Sequence, residues 1–380
     1  MKRIAFVYFD AGGGHRNAAV ALQAAIQQSD RPLEVQLVNL QEILDPIDIV
    51  RRATGLRIQD VYNRMLQNGW TLGSPQLMRA LQGVIWMYHG KTVKLLEKYW
   101  RESTPDLVAS LVPHFNRALC ESLRKASPAK PFVTILTDIA DYPPHFWIEK
   151  QEQFLVCGSE RAVEQARQLG HAEERIFKTS GMILNPRFYN YSPIDRSAER
   201  VKLGLSASRM TGLVLFGGQG ARRKMLEIDW LLSQSGLPIQ LILICGKNER
   251  LVGELRARQR SMPRFVEGFT TNVPYYMQLA DFFIGKPGPG SISEALTMGL
   301  PVMVERNAWT LPQERYNAEW LREKQVGMVV SNFDTVAGAV AEMLEGETFQ
   351  RFRCNAKKMH NRALFEIPEI LSRILESSQN

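Results

Sequence analysis

Short apolar runs rich in β-branched side chains recur along the first half of the chain: Ile4–Phe9, Glu34–Val38, Leu107–Val112, Phe132–Leu136 and Phe154–Cys157. Stretches with apolar positions at helical spacing lie between them, as in Ala18, Ala21, Leu22, Ala25 and Ile26. Alternation of this kind predicts a parallel sheet with crossover helices. After the polar stretch Asn185–Ala198 the rhythm restarts with Leu213–Phe216, Ile239–Cys245, Phe282–Ile284 and Val302–Val304. The restart marks a boundary between two α/β domains, at residues 1–190 and 200–350. A last segment, 350–380, has helical spacing, carries Lys357 and Lys358, and is expected to pack back on the N-terminal domain.

A length of 380 residues with 45% hydrophobic side chains accommodates two domains with adequate cores. The first apolar run stops at Asp10 and a glycine cluster, too short for a signal-peptide core. Nowhere do about 18 apolar residues run together without a charge, so any membrane contact is expected to be peripheral. Cys120, Cys157, Cys245 and Cys354 are widely spaced and form no CxxC pair, which fits reduced thiols in a cytoplasmic protein.

The net charge of +8 suits an anionic partner, and its distribution is uneven. The insert Ile47–Arg101 holds nine Lys/Arg against Asp48, Asp60 and Glu97, together with Tyr62, Trp70, Trp86, Tyr88, Tyr99 and Trp100. A basic, aromatic helical stretch reads either as a membrane-surface element or as an amphipathic subdomain that buries its tryptophans.

Candidate chemistry sits where strands meet helices. Asp10-Ala11-Gly12-Gly13-Gly14-His15-Arg16 follows the first strand and precedes an Ala-rich helix. Glycines let backbone approach a ligand, and a helix N-terminus favours an anion. A dinucleotide fingerprint would need glycine at Asn17 and an acid near Asn39, so NAD binding is disfavoured. His15 reads as a general base or as a capping or packing residue. Phe216-Gly217-Gly218-Gln219-Gly220 opens the second half in the equivalent position, and neither it nor Cys245–Asn248 fits a P-loop. In Lys286-Pro287-Gly288-Pro289-Gly290-Ser291-Ile292-Ser293-Glu294, the turn and its free N–H groups would meet a diphosphate. Glu294 would accept bonds from ribose hydroxyls or would form a capping box with Ser291.

These residues resemble the glycosyltransferases of the monogalactosyldiacylglycerol synthase and processive diacylglycerol glucosyltransferase family. A more distant likeness runs to the N-acetylglucosaminyltransferase of peptidoglycan lipid synthesis. The likeness covers most of the chain through Gly12–Ala19, Leu136-Thr137-Asp138 with His145 and Trp147, Phe216–Gly220, Cys245–Asn248, Gly268–Met277, Lys286–Leu296 and Pro312–Glu314. The resemblance implies two Rossmann-like domains facing across a cleft, the GT-B type, with lipid acceptor on the N-terminal half and UDP-sugar on the C-terminal half. It implies that Gly288, Pro289, Gly290 and Ser291 hold the diphosphate, Glu294 the ribose, and Gln313 with Glu314 the sugar. The Gly218 and Gly220 turn and the backbone near Phe269, beside uracil, complete the donor side. His15 would be the base, while Gly13, Gly14, Asp138 and His145 would shape the acceptor side.

The function this implies is transfer of a hexose, with inversion, from a UDP-sugar to a hydroxyl of a membrane lipid such as diacylglycerol. Such a displacement needs a base, stabilisation of the departing diphosphate and a polar set reading the sugar. Helix N-termini and Lys/Arg supply the positive field, so neither a cofactor nor a metal is expected. The expected partners are donor, lipid acceptor and an anionic membrane surface, not nucleic acid; the expected place is the inner face of the membrane. Lys286-Pro287 and the segment Glu305–Trp309 depart from the family pattern, leaving UDP-galactose, UDP-glucose and UDP-N-acetylglucosamine all open. A UDP-sugar epimerase of the same fold and an inactive lipid-surface binding protein are the alternative readings.

Overall fold

The computed structural model describes residues 1–10, 14–29, 31–48 and 74–378, with side chains from residue 82 onward in the last segment. The chain divides into two compact units: Met1–Pro186 with Leu311–Gln313 and Asn361–Asn380, and Arg187–Thr310 with Glu314–His360.

In the first unit, β1 (Lys2–Tyr8), β2 (Leu33–Asn39), β3 (Leu107–Ser110), β4 (Phe132–Ile135), β5 (Phe154–Cys157) and β6 (Ile176–Lys178) form one sheet. Its order is β2-β1-β3-β4-β5-β6, and every pairing is parallel. All residues of β3 and β4 are buried, as expected when helices cover both faces of a parallel sheet. The second unit repeats the plan with β7 (Met210–Leu215), β8 (Ile239–Ile244), β9 (Arg264–Glu267), β10 (Phe282–Gly285), β11 (Val302–Glu305) and β12 (Gly327–Val330). The order here is β12-β11-β10-β7-β8-β9, again parallel throughout.

Both orders contain a reversal. In the first sheet the chain goes from β1 to β2 on one side, then crosses to β3 on the other. In the second it runs β7, β8, β9 outward and restarts beside β7 with β10. Loops leaving the carboxyl ends of strands on either side of a reversal diverge, which leaves a crevice where ligands bind in open α/β sheets. Those ends carry Phe9-Asp10 and Leu111 in the first sheet, and Phe216–Gly220 and Lys286–Gly288 in the second.

The core of the first unit gathers Ala5, Val7, Val108, Leu119 and Leu123 around Val93, Leu96 and Trp100 of the long helix Ser74–Ser103. Positions 93, 96 and 100 share the inward face, so the Lys91, Lys94, Lys98 and Arg101 side chains lie away from it. Trp100 is fully buried and its indole N–H donates to the Ser122 hydroxyl at 3.0 Å, so it is a core residue and not an interface anchor. Trp86 and Met87, one and a half turns or more before Val93 on the same helix, are 77% and 71% exposed. Arg51, Arg52, Arg57, Arg64 and Trp70 of the basic insert lie outside the described residues, as does the Arg79 side chain.

The C-terminal segment is split. Helix Gly346–Lys358 belongs to the second unit, whereas helix Ala363–Ser377 packs on helix Gly14–Gln27 of the first. Glu366 accepts from the Ser180 backbone N–H at 2.8 Å, and Asn361 Nδ2 donates to the Met182 carbonyl at 2.8 Å.

Candidate active site

His15 is the second residue of helix Gly14–Gln27, at the reversal of the first sheet. Its Nδ1 lies 3.0 Å from the Thr137 hydroxyl beyond β4, and the ring also bonds the Leu111 carbonyl beyond β3. Trp147 walls the imidazole at 5.8 Å between ring centroids. Burial pushes the His15 pKa down to about 4, with the Leu111 bond opposing the shift. The ring is therefore neutral at pH 7, which is the form a proton acceptor requires.

The same wall explains Asp138 and His145. Asp138 is buried, and one of its oxygens accepts from the Trp147 indole N–H at 2.9 Å. Its carboxylate thus fixes the ring that packs against His15. Asp141 accepts from the backbone N–H groups of Trp147 at 2.6 Å and His145 at 3.0 Å. These bonds hold a tight turn in which His145 adopts a φ of 64° and exposes its ring. Burial raises the Asp141 pKa against the pull of those N–H bonds. Gly14 opens the helix with free space above it, and Gly13 lies outside the described residues.

In the second unit the residues come together at the reversal between β7 and β10. Helix Pro289–Thr297 starts with Gly288 as N-cap and Pro289 in the first turn, and no side chain caps it. Proline there is pre-set for a helix and lacks the N–H that would be unsatisfied. The start at Pro289 puts Ser291 inside the helix, with its hydroxyl donating to the Gly288 carbonyl at 3.3 Å. The capping-box reading of Ser291 and Glu294 is thereby excluded. Gly290, Ser291 and Glu294 fall on one face by i, i+3 and i, i+4 spacing. No hydrogen-bond partner for the Glu294 carboxyl occurs among the described residues, and desolvation raises its pKa to about 8.

Gly217 and Gly220 have φ of 72° and 65°, which glycine alone adopts readily. A Cβ on Gly220 would stand 2.5 Å from the Cys245 carbonyl oxygen, while the Lys247 N–H donates to the Gly218 carbonyl at 2.9 Å. Gly220 is thus required for packing one turn on another, whereas Gly218 is exposed with open space above it. Phe269 is also exposed, with the Lys247 ammonium 5.4 Å from its ring centroid.

Gln313 and Glu314 occupy the short turn Pro312–Glu314. Glu314 is buried and accepts from Lys286 Nζ at 2.9 Å. Beside it, Lys224 pairs with the buried Glu305 at the end of β11. Desolvation lowers the Lys224 pKa, with Glu227 and Glu314 opposing. Thr137, Lys224, Lys286 and Glu305 were not singled out as site residues by sequence, because their partners are distant in the chain. A lysine next to a glycine turn at a strand end was the one available signal.

Residues 212–374 match the glycosyltransferase family 28 C-terminal domain. The second half of the chain thus carries a family 28 glycosyltransferase domain. The chain is 25% identical over 376 residues to monogalactosyldiacylglycerol synthase of Spinacia oleracea, spanning 90% of this chain and 66% of that protein. It is 27% identical over 361 residues to a probable monogalactosyldiacylglycerol synthase of Nicotiana tabacum, spanning 90% and 64%. The chain therefore covers just under two thirds of these relatives' length. Among solved structures, MurG of Acinetobacter baumannii superposes with a TM-score of 0.60 at 14% identity, covering 99% of this chain and 100% of that one. MnaA of S. aureus with UDP gives 0.61 at 14%, covering 99% and 97%. A putative UDP-N-acetylglucosamine 2-epimerase from Listeria monocytogenes gives 0.63 at 12%, covering 99% and 98%. At these identities the likeness speaks for the GT-B fold.

Among the described residues no group of three His, Cys, Asp or Glu has metal-holding geometry. No helix among them is long and apolar enough to cross a membrane.

Proposed function

We propose that this protein transfers a hexose from a UDP-sugar to a hydroxyl of a membrane lipid such as diacylglycerol, inverting the anomeric carbon. The N-terminal unit takes the acceptor and the C-terminal unit the donor. The observation that carries the reading is Glu294: a half-buried, desolvated carboxyl with no hydrogen-bond partner among the described residues, on the face of a helix whose uncapped N-terminus lies at the sheet reversal. A nucleoside diphosphate complements both features, because its phosphates take the helix amides and its ribose diol takes the carboxyl.

In this mechanism the neutral His15 imidazole accepts the acceptor hydroxyl proton as that oxygen attacks the anomeric carbon. Thr137, Leu111 and Trp147 orient the ring, and Asp138 orients Trp147. The bond from the anomeric carbon to the diphosphate breaks on the opposite face, and the helix amides near Gly290 and Ser291 offset the charge left on the leaving group. Gln313 and Glu314 read the sugar hydroxyls, and the backbone by Phe269 meets the base.

A lipid acceptor is supported by the names of the relatives and by Trp86 and Met87, exposed on a helix that also carries Lys91 and Lys94. Lys98 and Arg101 are partly neutralised by Glu102 and Glu97, so they add less to docking on an anionic inner membrane face. The test is to incubate the chain with UDP-galactose, UDP-glucose and UDP-N-acetylglucosamine in turn, each with a mixed lipid extract, and weigh the lipids. A glycolipid product that requires one donor is expected. Donor isomerisation without lipid would replace this reading with that of an epimerase; vesicle binding with no UDP affinity would replace it with a lipid-surface protein.

A further inference from the structure

Lys286 stands at the centre of the candidate donor site. Its stem runs between the two glycine turns of the reversal: a Cβ on Gly217 would lie 3.8 Å from Cε, and one on Gly288 would lie 3.1 Å from Cε and 3.5 Å from Nζ. Both glycines thus leave room for this one side chain. The ammonium sits beside the N-cap of helix Pro289–Thr297, where the helix dipole presents positive charge. An ammonium in that place is electrostatically disfavoured unless an anion is near. Glu314 is that anion, at 2.9 Å, and it also lies in the field of Lys224, whose own partner is Glu305. Glu314 is buried, so these cations rather than bulk water are its close polar neighbours.

We propose that Lys286 is the diphosphate-sensing cation of the donor site and that Glu314 is its resting counter-ion. This rests on the donor reading above. A diphosphate at the uncapped helix end brings more negative charge than one carboxylate, and it lies on the side of Lys286 that the helix already makes favourable to anions. Nζ moves from Glu314 to the phosphate oxygens. Glu314, released from its ion pair, then accepts from sugar hydroxyls. Sugar recognition is therefore switched on by the diphosphate, and a free sugar meets a carboxylate that is already engaged. During transfer the electron pair of the breaking bond stays on the diphosphate oxygen, Lys286 offsets that added charge, and no proton leaves the ammonium.

Calorimetry with uridine, UMP, UDP and the accepted UDP-sugar separates the parts, using the parent, Lys286→Met, Lys286→Arg and Glu314→Gln. Lys286→Met is expected to weaken UDP by roughly tenfold or more, the effect of losing one hydrogen bond between charged groups, while uridine affinity stays at the parental value. Lys286→Arg restores most of the difference. Glu314→Gln binds UDP more tightly than the parent, since the Glu314 carboxylate no longer competes for the ammonium, but gains less than the parent from the attached sugar. Equal losses for uridine and UDP in Lys286→Met, or parental UDP affinity in that variant, would overturn the role of Lys286 alone. A parent that binds no UDP overturns the donor reading and this inference with it.

Discussion

Binding of the nucleotide should release a proton from Glu294, and the size of the effect follows from the burial of that one group. With its pKa raised to about 8, the carboxyl of the empty protein is protonated about ten to one at pH 7. Two ribose hydroxyls are best accepted by the ionised form, so binding selects the minor species. The penalty at pH 7 is about 1.4 kcal/mol, one tenfold step in affinity. Affinity for uridine should accordingly rise about tenfold from pH 6 to pH 7 and level off above pH 8. Uridine, having no phosphate, keeps the phosphate ionisation out of the measurement. Calorimetry at pH 7 in buffers of differing ionisation enthalpy should count close to one proton released. Glu294→Gln should bind more weakly and lose both the pH slope and the released proton. A parental slope retained in that variant would refute the assignment. The same group sets a stability trend: its folded pKa lies above the ordinary value of 4.5, so the native state holds the extra proton between pH 4.5 and 8. Stability of the empty protein from this source falls as pH rises through that window, and Glu294→Gln removes the fall.

Three further outcomes are expected. His15→Ala should lower the transfer rate by roughly 10²–10⁴-fold with UDP affinity nearly intact, as for loss of a general base. Because the His15 pKa is held at about 4, kcat/KM should show no loss attributable to this group between pH 5.5 and 8, and a decline near pH 4. Activity should survive EDTA, since helix amides and lysines offset the diphosphate charge; complete loss that Mg²⁺ or Mn²⁺ restores would contradict this mechanism. Trp86→Ser with Met87→Ser should reduce sedimentation with anionic vesicles while leaving UDP binding unchanged, and an unaltered sedimentation would move membrane docking to another surface.

The central strands were legible because both faces are covered, so nearly every position of β3, β4, β8, β10 and β11 is apolar or small, and the exceptions Gln240 and Glu305 are buried with polar partners. β6, β9 and β12 were not. β6 and β9 end on Lys178 and Glu267, and β12 opens on Gly327; as edge or near-edge strands they bear charged or flexible ends that break the apolar run. Leu111 and Val112 extend the apolar run beyond β3; the Leu111 N–H still donates to the Val7 carbonyl of β1, while the Leu111 carbonyl meets His15. The glycine turns were legible by position. Their partners were not: His15 meets Thr137 across 122 residues, and Lys286 meets Glu314 across 28. Ser291-x-x-Glu294 carried the spacing of a capping box, but Pro289 fixes an earlier start and so frees the carboxyl. Trp100 looked like an interface anchor by type, and only its phase with Val93 and Leu96 turns it inward.

His15 and Glu294 illustrate one rule acting in opposite directions. Desolvation disfavours charge, so it pushes a half-buried imidazole down and a half-buried carboxyl up, here to about 4 and about 8. Each group is consequently uncharged at pH 7 in the empty protein. A charged pair placed there permanently would need partners of its own, as Lys224 and Glu305 have, and those partners would compete with substrate. Neutral groups avoid that competition: in the mechanism proposed above the imidazole acquires its proton only as the acceptor oxygen attacks, and the carboxyl loses its proton only when a ribose is present to stabilise the anion. On that proposal the charges arise during binding and transfer, where they contribute to selection of donor and transition state, and not in the resting fold.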